Sequence, residues 1–134
     1  MALHWIIKSD ERLFEVNCDG LVAADEVHQM LDVLVDSRAL GYRKLFDGSR
    51  GDTNMGAAEI LNIGVRMRSL HAGAALGPLA VVIPEDKYAL LARVLGVLAS
   101  ARRPMRIFSD PQKARRWLDS PAVRARVPPE EMLS

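Results

Sequence analysis

The fold turns on KLFDGSRGDTNMGAAEIL, residues 44–61. Leu45 and Phe46 are the apolar centre of a short strand over 43–47. Two glycines, two hydroxyls, an arginine and a second aspartate follow. From Ala57 onward Ile60, Leu61, Ile63, Val65, Met67 and Leu70 recur at helical spacing, predicting a helix over 57–70. Asp52, Thr53 or Asn54 would cap that helix, and the glycines would permit the turn before it. A loop at the carboxyl end of a strand is also where open α/β sheets bind ligands. Asp47, Ser49, Arg50, Asp52, Thr53 and Asn54 are therefore candidate binding residues as well. The stretch is neither GxxxxGK[ST] nor GxGxxG, and its two aspartates would repel phosphate.

Working outward, LHWIIK and RLFEVN on either side of SDE predict a hairpin closed by Gly20. Residues 23–40 place Val27, Met30, Leu31, Leu34 and Val35 on a helical stripe, with Gly41 as the expected C-cap. LAVVI (79–83) predicts a buried strand ended by Pro84. Residues 86–101 predict a helix and 105–108 a last strand. Ser109 and Asp110 before Pro111 predict a helix start, the helix running to Asp119. The order β-β-α-β-α-β-α-β-α predicts an α/β domain over 1–120 with a C-terminal extension over 121–134. Its sheet would be single, open and mainly parallel, with about five strands and an antiparallel hairpin at the start. Parallel crossovers are right-handed, so a chain stepping one way across the sheet would put its helices on one face and a chain that reverses would put them on both; the pattern alone does not choose.

The bulk properties narrow the function. A chain of 134 residues can bury one core, and with few aromatics that core is aliphatic. The formal net charge of +1 gives no field to steer the whole molecule toward nucleic acid or a membrane. Residues 102–126 carry a local charge of +6 against −3 over the first 101. With no interleaved aromatics and no nucleic-acid motif, this run reads as a solvated helix face and tail. The single cysteine, Cys18, allows no internal disulfide, and the start is not a signal peptide. The longest apolar-rich stretch, 88–101, is interrupted by Arg93 and is short of the roughly 20 residues a bilayer needs. These features predict a cytoplasmic protein without integral membrane association. His4, His28 and His71 lie far apart, no metal-ligand spacing occurs, and no nucleophile elbow surrounds Ser49. No catalytic constellation, metal or cofactor is expected.

DKYALLARVLGVLASA (86–101) is apolar on nearly every side. A helix on one face of a sheet should show a polar outer stripe. Three covers would account for the surplus: neighbouring helices; a second subunit packed on Leu91, Val94, Leu95 and Leu98; or an apolar ligand in a groove between this helix and the 57–70 helix. In the third case Arg50 or Arg93 would stand near an anionic head.

KLFDGSRGDT, together with HWIIKSDERLFEV, LAVVIPED and MRIFSDPQKARRWL, resembles the bacterial SpoIIAA-like proteins of the STAS/SEC14 group. The resemblance implies one open sheet with helices mostly on one side. It also implies regulatory protein binding or small-ligand binding rather than catalysis. The group's anti-sigma-factor antagonists carry a phosphorylatable serine in an Asp-Ser-Ser-Gly context. Here that region reads Asp52-Thr53-Asn54-Met55-Gly56, with Thr53 the nearest equivalent. The first expectation is a regulatory module that binds another protein as a homodimer through 86–101. Its working surface would be the 47–54 loop with Glu85 and with Ser109 and Asp110. The alternative is a binder of a small apolar or lipid-like molecule.

Overall fold

The computed structural model describes residues 2–73, 76–86 and 105–127. The helix expected over 86–101 lies, from residue 87 on, outside the described residues, and with it Leu91, Arg93, Val94, Leu95 and Leu98. Five strands form one sheet: β1 (Leu3–Lys8), β2 (Leu13–Leu21), β3 (Arg43–Asp52), β4 (Leu79–Val82) and β5 (Met105–Phe108). Their spatial order is their chain order, with β1 antiparallel to β2 and every other pairing parallel. Four helices occur among the described residues: α1 (Ala24–Asp36), α2 (Ala57–Gly73), α3 (Pro111–Asp119) and α4 (Pro121–Arg124). This is the predicted α/β class.

The sheet is covered on both sides. Phe14, Val16 and Cys18 of β2 face α1, whose Val27, Met30, Leu31 and Leu34 are all buried. Leu79, Val81 and Ile83 point to the same side and meet Phe46 and Met67. On the other side Leu13, Leu45, Ala80 and Val82 pack against Ala114 and Leu118 of α3 and Val123 of α4. Right-handedness constrains only crossovers between parallel strands. Helices α1 and α2 are crossovers and share one face. Helix α3 follows the last strand, is free of that constraint, and closes the other face.

Two charged networks hold α3 there. Glu15, 5% exposed in the middle of β2, accepts from Arg115 Nη1 at 2.7 Å and Nη2 at 3.3 Å, and from Lys8 Nζ at 3.3 Å. The Arg115 hydrogen bonds hold the Glu15 carboxyl below its ordinary value, against the upward push of burial. Arg43, 2% exposed, donates to the carbonyls of Leu118 (3.0 Å) and Glu11 (3.1 Å) and to Asp119 Oδ1 (2.9 Å).

Besides β2, which runs through Gly20 to Leu21, and α2, which runs on to Gly73, three boundaries differ from the sequence expectation. Helix α1 ends at Asp36, four residues before the expected stop. Arg38 adopts φ +56°, its N–H bonds Val35 O, and Ala39 N bonds Leu34 O. This is a Schellman closure made without glycine. Strand β3 continues five residues beyond Asp47, because 50–52 pair in parallel with 19–21 of β2 after a bulge. Helix α2 is not capped by Asp52, Thr53 or Asn54. It begins at Ala57, where Gly56 N donates to Glu59 Oε1 at 3.2 Å.

Candidate functional site

The quoted glycines are part of a strand, and their role is close approach. A Cβ on Gly48 would lie 2.8 Å from the Val82 carbonyl oxygen, and one on Gly51 would lie 2.6 Å from Cys18 Cβ. Both positions need the absence of a side chain for the three central strands to pack. At the end of β3, Thr53 Oγ1 donates to Val22 O at 2.8 Å and accepts from Met55 N at 3.1 Å. Thr53 thus fixes the 53–56 link that leads into α2.

That link carries α2 away from the sheet. The backbone of α2 lies near α1 and stands off from the strands. Its Ile60, Ile63, Met67 and Leu70 reach inward but remain only partly buried. The space between is a cavity of about 230 Å³. Its floor is Phe14, Val16 and Cys18 of β2, Phe46 of β3, and Val81 and Ile83 around β4. Met30, Leu31 and Leu34 of α1 form one wall, and the inward residues of α2 form the other. The lining is almost wholly apolar. Polar residues occur at its ends: Lys44 near Leu40 and Leu76, and Asp52 and Thr53 near Met55 and Pro84. Lys44 Nζ donates to the carbonyls of Leu40 (2.5 Å) and Tyr42 (2.9 Å). A cavity of about 150 Å³ accommodates a benzene ring, and drug-sized sites begin at about 300 Å³. This one lies between the two.

Burial, with the charges of Asp47 and Glu26, pushes the Cys18 thiol up to about 12. It is therefore a neutral part of the apolar floor and a poor nucleophile while covered.

The structure divides the sequence-predicted site residues. Asp52 and Thr53 are among the residues that line the cavity. Asp47 accepts from Ser49 N (3.0 Å) and Ser49 Oγ (2.6 Å), so these two engage each other. Arg50, Asn54 and Glu85 are exposed and take no part in the lining. The expected groove between the 57–70 and 86–101 helices lies outside the described residues; among those described, a cavity is bounded by the sheet, α1 and α2. The 57–70 helix, with Ile63 and Met67, was expected to face an apolar ligand, whereas the floor residues Phe14, Cys18 and Phe46 were not read as lining a site. The only available signal was the surplus of apolar residues in α2, where Leu61 and Val65 remain 50% and 62% exposed.

Among the described residues no three of His, Cys, Asp and Glu gather as a metal site would require, and no helix is long and apolar enough to cross a membrane. The chain matches no protein-family model, no curated protein and no solved structure in the comparisons with known proteins.

Proposed function

We propose that this chain is a non-catalytic, cytoplasmic binding module that holds a small apolar molecule between its sheet and helices α1 and α2. One observation carries the reading: the apolar cavity of about 230 Å³, concave and bounded by three elements. A flat apolar face suits a protein partner, whereas a concave one of this size suits a ligand. Polar groups at Asp52, Thr53 and Lys44 would orient a molecule with a polar end. The resemblance to SpoIIAA-like proteins of the STAS/SEC14 group agrees with binding rather than chemistry. Native mass spectrometry of protein purified from cells tests the proposal. The expected spectrum shows a retained small molecule that is lost on denaturation. A bare polypeptide mass, with no displacement or uptake of an apolar fluorescent probe such as 1-anilinonaphthalene-8-sulfonate, would overturn it.

A second reading, a regulatory module acting as a homodimer, has its own observation. Leu61 and Val65 lie one turn apart on α2 and are both exposed. Such a stripe fits a partner surface. The same spectrum would then show a dimer without added mass, and Leu61→Glu would reduce it to a monomer.

A further inference from the structure

We propose that α2 is a hinged lid over the cavity, latched to α1 by Arg66. The inference rests on the reading of the cavity as a binding site, since a lid has a purpose only if something passes beneath it.

The two helices on this face are docked differently. Helix α1 sinks Val27, Met30, Leu31 and Leu34 into the core, each 8% exposed or less. Helix α2 has no large side chain buried to that degree among its described positions; Ile60, Ile63, Met67 and Leu70 are all intermediate. Lifting α2 therefore breaks less complete apolar burial than lifting α1, and its local opening costs correspondingly less. The 53–56 link is suited to act as the hinge. Gly56 stands in open space, with nothing within 4 Å of where a Cβ would be, while Thr53 anchors the strand end of the link to Val22.

Arg66 bridges α2 to α1. Arg66 Nη1 donates to the His28 carbonyl at 2.8 Å and lies 3.2 Å from His28 Nδ1, and its Nη2 donates to Asp32. Arg66 is only 28% exposed at its side chain, so these bonds are partly shielded from water. A guanidinium fork satisfied by a backbone carbonyl and a carboxylate on one helix is a geometrically specific connection. It forms only when α2 is down.

Cys18 is the built-in reporter. It is the only cysteine in the chain, it is 3% exposed, and it lies on the cavity floor. While the lid is down the thiol is both covered and held protonated. Opening removes both protections at once.

The test measures the rate at which 5,5′-dithiobis(2-nitrobenzoic acid) labels Cys18 in the ligand-free protein, at several sub-denaturing urea concentrations. A lid predicts labelling with a weak urea dependence, well below that of global unfolding, because only α2 moves. Arg66→Gln should accelerate labelling about tenfold, as expected for loss of partly shielded charged hydrogen bonds. It should retain the weak urea dependence, and Arg66→Lys should restore part of the protection. Asp32→Asn, at a side chain 62% exposed and hence harmless to folding, should give a smaller acceleration. Labelling unchanged by both Arg66→Gln and Asp32→Asn, or carrying the full urea dependence of global unfolding, would overturn the proposal. Labelling needs no ligand, so the two readings fail separately. Local opening with no bound molecule sinks the ligand and leaves the mobile helix. Ligand binding with only global exposure of Cys18 sinks the lid.

Discussion

At the scale of single residues, the telling feature is charge placed inside the sheet. Glu15 and Arg43 occupy positions that strand alternation gives to the apolar side, and each is satisfied by α3 or its end. Glu15 ties stability to pH. Its carboxyl sits below its ordinary value of 4.5 in the folded protein because Arg115 stabilises the ionised form. The stabilisation is fully present above the unfolded value and is lost as pH falls through the folded one. Urea midpoints measured from pH 7 down to pH 3 should decline below about pH 4.5. Glu15→Gln should be less stable at neutral pH and should lack this part of the acid-induced decline. None of this was readable beforehand. The partners that justify the burial of Glu15 and Arg43 lie 100 and 75 residues further along the chain.

At the scale of elements, the local signals were legible wherever the residue chemistry had one meaning. Asp110 before Pro111 does cap α3, accepting from Gln112 N at 2.9 Å. The hairpin turn falls at Ser9–Arg12 as SDE suggested, with Glu11 N bonded to Lys8 O. Signals failed where one residue type serves two physical ends. Gly48 and Gly51 read as a turn because glycine permits one, yet here they remove side chains so that strands can approach. Arg38 takes a left-handed conformation usually left to glycine, so the end of α1 could not be seen in the sequence. The glycine argument yields a prediction for β3. Gly51→Ala would put a methyl 2.6 Å from Cys18 Cβ and should cost about 2 kcal/mol in urea unfolding. A neutral result would mean that the β2–β3 spacing yields more readily than the packing of its neighbours implies.

At the scale of the whole molecule, the α/β class and the mainly parallel sheet followed from the alternation of periodicities. The two-sided cover did not, because no rule of handedness governs a helix that follows the last strand. The cavity was foreshadowed only as a surplus of apolar residues. A void is made by where backbones stand, and α2 stands off from strands whose registry is set elsewhere. Among the described residues the second face is covered by α3 and α4. A chain ending at Asp110 should therefore lose cooperative unfolding and bind 1-anilinonaphthalene-8-sulfonate, since Leu13, Leu45, Ala80 and Val82 lose their cover. Retention of a sharp urea transition would show that the α1 face suffices.

Strand order that follows chain order has a consequence for how the protein is made. Each strand joins an edge already formed, and none has to insert between two others. The sheet can thus grow while the chain is being synthesised from its N-terminus. The contact from Arg115 back to Glu15 closes only after 100 residues have intervened. Until α3 clears the ribosome, the nascent protein carries a bare apolar face, with Glu15 left to Lys8 and Arg43 to the Glu11 carbonyl. That half-covered intermediate is the form in which a chaperone would first encounter it.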